Sequence, residues 1–190
     1  LQNVKNLNNH LLKNLKPIGI PKIYKNSAIP LEFNNLEKLH KLSNIKNLAA
    51  IVVEPSRMEK LNKKFINLLN KTCKRKNIIL IVDEITSGWR DCKGGIYKKI
   101  GLNPDLVIYG KALGNGFAIS AVVGKKKVMD TAQDTFVSST AWTERVGFAA
   151  GLGVIKYHEK NNVFSHNKNI GKKIKKGWIK LAKKHNLKIE

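Results

Sequence analysis

The chain has 190 residues, of which 42% are hydrophobic and 7% aromatic, a composition that is typical of a globular domain with a packed core and excludes a disordered segment. Its formal net charge of +23 at pH 7 would ordinarily indicate a partner rich in phosphate, such as a nucleic acid or an anionic membrane. The lysines are spread along the whole chain, however, and only four of the 36 basic residues are arginine, the side chain best suited to phosphate and base contacts, so a nucleic-acid-binding protein is only the less favoured alternative.

The first 46 residues give little indication of regular structure. They are rich in Asn and Lys, and Pro17, Pro21 and Pro30 break any long helix. The amino end lacks both an initiator methionine and the apolar core of a signal peptide, and the chain stops soon after a helical pattern. We therefore expect an internal piece of a longer protein, incomplete at both ends.

A strand, a helix and a second strand are predicted next. The apolar run "LAAIVV", residues 48–53, is followed by Glu54-Pro55 and has the character of a buried strand. Apolar residues at helical spacing follow between Leu61 and Leu69, and the run from Ile78 to Val82 predicts a second buried strand. This order predicts a βαβ unit with a right-handed crossover and two parallel strands.

The rest of the chain predicts two more strands and two helices. A third strand, Leu106 to Tyr109, and a fourth, Ile119 to Val123, are separated by a glycine-rich segment. This connection is too short for a helical crossover, so the two strands are expected to be antiparallel or separated in the sheet. A helix is expected from Thr143 to Tyr157. A last amphipathic helix is predicted from its apolar positions, Ile170, Ile174, Trp178 and Leu181.

The cysteine spacing and the hydropathy of the chain indicate the cellular compartment. Cys73 and Cys92 stand far apart without a CxxC motif, so we expect neither a disulfide framework nor a zinc site, and no metal is called for. No apolar run approaches the length of a membrane span. These features predict a cytoplasmic protein that does not contact the membrane.

Three polar groups follow the predicted strands at their carboxyl ends, where ligands gather in an open α/β sheet. They are Glu54, Asp83 and Lys111, and Lys111 is followed by Gly114-Asn115-Gly116. Each alone has a simpler explanation, since a carboxylate just past a strand is often a helix cap or a surface residue. A lysine amine and a carboxylate on neighbouring strand ends, beside glycines that let backbone approach an anion, are together what a pyridoxal phosphate site requires.

The segments "IILIVDEITSGWR" and "GLNPDLVIYGKALGNGFAISAVVG" closely resemble the signature of class III aminotransferases. The resemblance runs from about Ala49 to Gly153. It implies an α/β fold, the large domain of a fold type I pyridoxal-phosphate-dependent transferase, with a mostly parallel sheet flanked by helices. Within the class, "TSGWR" and "GKALGNG" are most similar to the glutamate-1-semialdehyde 2,1-aminomutase branch.

The resemblance implies a role for five residues. Lys111 resembles the lysine that forms the Schiff base with pyridoxal 5'-phosphate, and Asp83 resembles the partner of the pyridine nitrogen. Ile85 matches the apolar residue that packs on one face of the ring, and Glu54 matches a glutamate near the substrate. Thr140 falls where the family has a threonine that binds the cofactor phosphate across a dimer interface.

The implied function is transfer of an amino group between a small-molecule amino donor and a carbonyl acceptor. An intramolecular aminomutase is an alternative, because "TSGWR" and "GKALGNG" resemble the aminomutase branch. The segments "SRMEKLN" after Pro55 and "STAWTERVG" depart from the usual family pattern, which leaves the substrate open. A basic nucleic-acid-binding protein and an inactive fragment are alternatives of another class. Nothing in residues 1–46 resembles the family's phosphate-binding turn or its ring-stacking aromatic residue, so the fragment alone is expected to be inactive.

The resemblance also implies a domain division and an assembly. Residues 1–160 correspond to the central part of the large, cofactor-binding domain. Residues 161–190 correspond to a helix that leads towards a carboxyl-terminal small domain. The full-length protein is expected to be a homodimer.

Overall fold

The computed structural model describes residues 21–24, 27–56, 60–138 and 143–189. Its centre is a four-stranded sheet in the order β1-β2-β3-β4, formed by Ala50–Val53, Ile79–Asp83, Leu106–Tyr109 and Ala121–Gly124. β1 pairs parallel with β2 and β2 pairs parallel with β3, whereas β3 pairs antiparallel with β4. The predicted parallel pair is confirmed, and of the two arrangements left open for the last strands the antiparallel one is found.

Six α-helices accompany the sheet in the described residues. They are α1 (Leu36–Leu42), α2 (Lys63–Lys76), α3 (Tyr97–Ile100), α4 (Lys126–Met129), α5 (Arg145–Lys160) and α6 (Val163–Lys184). Short 3-10 turns occupy Lys22–Tyr24, Lys111–Leu113 and Asp130–Asp134. The helix expected from Thr143 begins two residues later and continues to Lys160, and the predicted last helix is α6.

The crossover helix α2 covers one face of the sheet. Asn62 caps its first turn, with the side-chain oxygen accepting from the Phe65 backbone N–H at 2.8 Å. Phe65 and Leu69 on α2 are buried against Leu80 and Val82 of β2, and each of the four is at most 1% exposed. Truncating a buried phenylalanine such as Phe65 to alanine costs about 3–5 kcal/mol of folding free energy.

The opposite face of the sheet is apolar, yet the described residues leave it largely uncovered. Val52 of β1 is 60% exposed and Val122 of β4 is 49% exposed, while Ile81 and Ile108 between them are half-buried. Parallel sheets are ordinarily covered on both faces. The described part of the chain therefore supplies the helical layer for one face only.

The two long helices at the carboxyl end bury few of their residues, namely Gly147 and Gly151 of α5 and Ala182 of α6. Gly147 of α5 lies against the loop before β4, since a Cβ there would come within 2.7 Å of the Ala118 carbonyl oxygen. The predicted apolar positions of α6 are 39% to 64% exposed. Among the helices of the described ranges, none has the length and apolar character that crossing a membrane requires.

Candidate active site

Lys111 leaves the sheet directly after β3, with Gly110 between them. Its backbone φ is +44°, in the left-handed region that few residues other than glycine adopt. The turn is held by hydrogen bonds from the backbone N–H groups of Gly114 and Asn115 to the Lys111 carbonyl, at 3.1 and 3.0 Å. The Lys111 ammonium Nζ donates to the Thr86 hydroxyl Oγ1 at 2.9 Å. The lysine on the end of β3 is thereby joined to the segment that follows β2.

Asp83 is the last residue of β2 and pairs in register with Ile108 of β3. Its Oδ1 accepts the backbone N–H of Ile85 at 2.9 Å, which fixes the carboxylate where the chain turns out of the sheet. No second hydrogen bond to this carboxylate comes from the described residues. One oxygen thus orients the group and the other is available to a ligand.

Ile85 is half-buried and lies against the backbone that carries Lys111. A Cβ on Gly110 would be 3.6 Å from its Cγ2, an ordinary van der Waals contact. Within the segment 83–86, Thr86 contacts the Lys111 amine, Ile85 lies against Gly110, and Asp83 is oriented by the Ile85 N–H. Sequence reasoning placed Asp83 and Lys111 at neighbouring strand ends and the resemblance added Ile85, whereas Thr86 was not singled out.

Glu84, which sequence reasoning did not single out, anchors the loop beyond this segment. Its side chain is completely buried, accepts the Ser87 hydroxyl and accepts the Tyr97 backbone N–H at 2.8 Å. Its own backbone N–H donates to the Ile108 carbonyl at 2.9 Å. A buried carboxylate is tolerated only with such partners. The pair Asp83-Glu84 after an apolar strand was the available signal, but it does not tell which carboxylate is buried.

A buried tyrosine lies beneath the Lys111 turn. Tyr109 is 9% exposed, and burial raises the pKa of its phenol, with the Tyr97 phenol and the Glu84 carboxylate raising it further. The phenol therefore stays neutral at physiological pH. Gly88 fits against it only because it has no side chain, since a Cβ there would be 2.8 Å from Tyr109 Cδ1.

The other two predicted site residues are placed less fully. Glu54 is half-buried and directly follows β1, so it belongs to the same carboxyl edge of the sheet as Asp83. Thr140 lies outside the described residues. The described residues contain no cluster of three or more His, Cys, Asp or Glu side chains that could hold a metal ion.

A groove of about 910 Å³ adjoins Lys111 and is bounded by the loop after β2, the glycine-rich segment and helices α5 and α6. Its lining includes neither Asp83 nor Ile85, so it is a neighbouring space and not the gap between carboxylate and lysine. His158 on its wall packs between Trp89 and Phe164. Burial lowers the pKa of His158, and its Nδ1 has no hydrogen-bond partner in the described part of the chain.

A model of the family described as aminotransferase class-III matches residues 2–189. Glutamate-1-semialdehyde 2,1-aminomutase of Nitrosopumilus maritimus is 36% identical over 73% of this chain and 34% of its own length. The 2'-deamino-2'-hydroxyneamine transaminase of Streptomyces kanamyceticus is 31% identical over 75% of this chain and 36% of its own length. The chain thus spans about a third of the length of these two curated relatives.

Two solved structures illustrate the shared fold. An omega-transaminase from Sphaerobacter thermophilus superposes with a TM-score of 0.67 at 28% identity, covering 74% of this chain and 34% of that one. The FumI protein of Sphingopyxis sp. MTA144, solved in its pyridoxal phosphate internal aldimine form, superposes with a TM-score of 0.80 at 24% identity, covering 89% of this chain and 42% of that one.

Proposed function

Because the chain belongs to the class-III aminotransferase family, we propose that it carries the lysine and the carboxylate of an amino-group transfer site. Its α/β fold is that of the fold type I transferases, with a mostly parallel sheet. Pyridoxal phosphate is the cofactor of this family. The proposed reaction moves an amino group from a small-molecule amino donor to a carbonyl acceptor.

The observation that carries the proposal is the hydrogen bond from Lys111 Nζ to Thr86, three residues after Asp83. It brings a primary amine to the segment whose first residue is a carboxylate held by its own chain. An amine for the cofactor aldehyde and a carboxylate for the pyridine nitrogen are the two groups that pyridoxal phosphate needs from a protein. The residues present therefore fit this cofactor.

The cofactor, when bound, supplies an electrophilic aldehyde carbon and an electron-withdrawing ring. Lys111 would hold it by a covalent bond through its amine, and once freed by the amino donor that amine would serve as the base for the proton of the donor Cα. Asp83 would accept a hydrogen bond from the ring nitrogen through the oxygen that Ile85 does not use. Ile85 would pack on one face of the ring, and Glu54 would lie towards the substrate.

An intramolecular aminomutase is the second candidate, because the 36%-identical relative carries that activity in its name. The 31%-identical relative is named as a transaminase, so both reaction types occur among the proteins similar to this chain. They differ in one requirement. A transaminase needs a separate carbonyl acceptor to complete its cycle, and a mutase completes the cycle on one molecule.

A second copy of the chain is part of the proposal. Residues on both sides of Thr140 expose large apolar side chains, with Phe136 99%, Val137 60% and Phe148 60% exposed. Exposed apolar side chains of this size are candidate interface residues, and we infer that Thr140, which stands between them in the sequence, binds the cofactor phosphate of the other subunit. Residues 1–160 would then belong to the cofactor-binding domain, and residues 161–190 would form the helix that leads towards a small domain. We propose that the enzyme is cytoplasmic.

The proposal is tested by loading the full-length protein with pyridoxal phosphate, adding one amino donor without an acceptor, and following the cofactor spectrum. A transaminase converts its cofactor to the amine form in a single stoichiometric turnover. A mutase acting on its own substrate instead turns over repeatedly without any added acceptor. Failure to bind the cofactor at all would contradict the proposed function.

A further inference from the structure

We propose that Thr86 is a positioning residue that holds the Lys111 amine at the carboxyl edge of β2 whenever that amine is not covalently engaged. The relevance of Thr86 to catalysis rests on the proposed function, whereas the hydrogen bond between Thr86 and Lys111 is independent of it. The contact itself is the 2.9 Å hydrogen bond from Nζ to Oγ1, between residues 25 apart in the chain. Sequence reasoning gave Thr86 no role.

The hydroxyl of Thr86 is a fixed acceptor because the backbone on both sides of it is tied down. Before it, the Ile85 N–H donates to Asp83 at 2.9 Å, and the Glu84 N–H donates to the carbonyl of Ile108 in β3 at 2.9 Å. After it, the Gly88 N–H donates to the Glu84 carbonyl at 2.7 Å. Threonine is also β-branched, which restricts its χ1 rotation and hence the position of Oγ1.

The lysine, by contrast, has a fixed backbone and a flexible side chain. Its turn is closed by two hydrogen bonds to its carbonyl oxygen, but the side chain itself is exposed. An exposed lysine samples many rotamers. The bond to Thr86 selects rotamers that keep the amine at the segment after β2, and in its absence the amine would explore solvent.

A hydroxyl suits this task better than a carboxylate would. It accepts a hydrogen bond from an ammonium group and donates one to a neutral amine. Thr86 can therefore hold Lys111 both before and after the amine takes up a proton, which is what a group that moves a proton back and forth requires. A carboxylate at this position would favour the ammonium form alone.

Two substitutions separate the hydroxyl from the shape of the side chain. Thr86→Val keeps the branched shape and removes the hydroxyl, whereas Thr86→Ser keeps the hydroxyl. The first measurement needs no cofactor: the apoprotein is labelled briefly with an acylating reagent, and modification of Lys111 is quantified by peptide mass spectrometry relative to Lys125, which pairs with Asp105 at 2.8 Å. Removal of the acceptor frees the amine to reach the reagent.

We expect the relative labelling of Lys111 to rise about threefold or more in Thr86→Val and to stay near the original value in Thr86→Ser. The second measurement is the rate at which added pyridoxal phosphate becomes covalently attached. Loss of a hydrogen bond to a charged group predicts a rate about tenfold lower in Thr86→Val, with recovery in Thr86→Ser. The affinity for pyridoxine phosphate, which lacks the aldehyde, should not change.

Three results would overturn the inference. The first is unchanged labelling of Lys111 in Thr86→Val, and the second is an unchanged attachment rate despite increased labelling. The third is a loss of pyridoxine phosphate affinity as large as the loss of attachment rate, because Thr86 would then contact the cofactor instead of the lysine. Melting temperatures of both variants, and of Thr86→Ala, separate these results from a folding defect. If the original protein formed no covalent adduct, the proposed function would fail, while the labelling result would still decide the geometry.

Discussion

The Ile85 backbone N–H lies 2.9 Å from Asp83 Oδ1, so the carboxylate that ends β2 is oriented by its own chain before any ligand arrives. A carboxylate held in this way needs no rearrangement to receive a ring nitrogen. Preorganisation of this kind is how proteins support charge that develops during a reaction.

Asp83→Asn keeps the bond to Ile85, because an amide oxygen can accept it, but loses the negative charge. We expect covalent cofactor attachment to persist and amino transfer to fall by about 100-fold or more, because the ring nitrogen is no longer held protonated. Parallel measurements of bound cofactor and of the single-turnover rate check this. Equal activity in both proteins would show that Asp83 does not contact the ring nitrogen.

Glu84→Ala should destabilise the fold because it leaves two donors without an acceptor, the buried Ser87 hydroxyl and the part-buried Tyr97 N–H. The expected loss is about 2–4 kcal/mol in the free energy of unfolding. Urea titration measures it. Glu37→Ala is the matched control: Glu37 is exposed and forms a surface ion pair with Lys41, so its removal should cost less than about 1 kcal/mol.

Gly114→Ala tests the close approach behind the Lys111 turn. A Cβ at Gly114 would come within 2.1 Å of the Phe117 carbonyl oxygen, so the turn must shift and both stability and cofactor attachment should fall. Gly177→Ala in α6 is the control, since nothing lies within 4 Å of its Cβ position. There the better helix propensity of alanine should raise stability by up to about 1 kcal/mol. If the Gly114 variant matched the original protein in both measurements, the turn would not be tightly packed.

Asp105 should make the fold sensitive to acid. Its burial favours a higher pKa, but the hydrogen bonds from Lys125 and from the Leu80 N–H, together with the Lys125 charge, outweigh burial and bring the pKa of Asp105 below its ordinary value. A carboxyl with a lowered pKa contributes stability above its unfolded pKa of about 4 and loses it as the pH falls through its folded value.

The comparison that isolates this effect is Asp105→Asn, whose amide oxygen can still accept from Leu80. The original protein should be more stable than the variant at pH 7, by about 1 kcal/mol or less because the pair with Lys125 is partly exposed. This difference should shrink as the pH is lowered below about 4. Urea titrations at both pH values measure it, and a difference independent of pH would contradict the assignment.

The sequence predicts the sheet better than its surroundings. Predominantly apolar runs identify all four strands to within two residues, because burial on a sheet imposes a recognisable pattern. Helix α1 was not predicted, since it is only seven residues long and lies in a segment rich in Asn and Lys. The exposure of the apolar side of α6 was equally inaccessible, because periodicity shows which side is apolar and not what covers it.

The part of the candidate site that lies at the strand ends was predictable from the order of the strands along the chain. The carboxyl ends of adjacent strands meet, so Asp83 and Lys111 could be placed on one edge from the sequence. Thr86 could not, since its bond to Lys111 joins residues far apart in the chain and nothing distinguishes it locally from any other threonine. The roles of Lys111, Asp83, Ile85 and Glu54 stay predictions, as does that of Thr140.

The most direct test of the central claim is to identify which lysine carries the cofactor. The full-length protein is incubated with pyridoxal phosphate, reduced with borohydride and digested, and the modified peptide is located by mass spectrometry. We predict one dominant adduct on Lys111, lost in Lys111→Ala and retained in Lys93→Ala, whose side chain is exposed beside Glu159. A dominant adduct on another lysine, or an undiminished adduct in Lys111→Ala, would contradict the account.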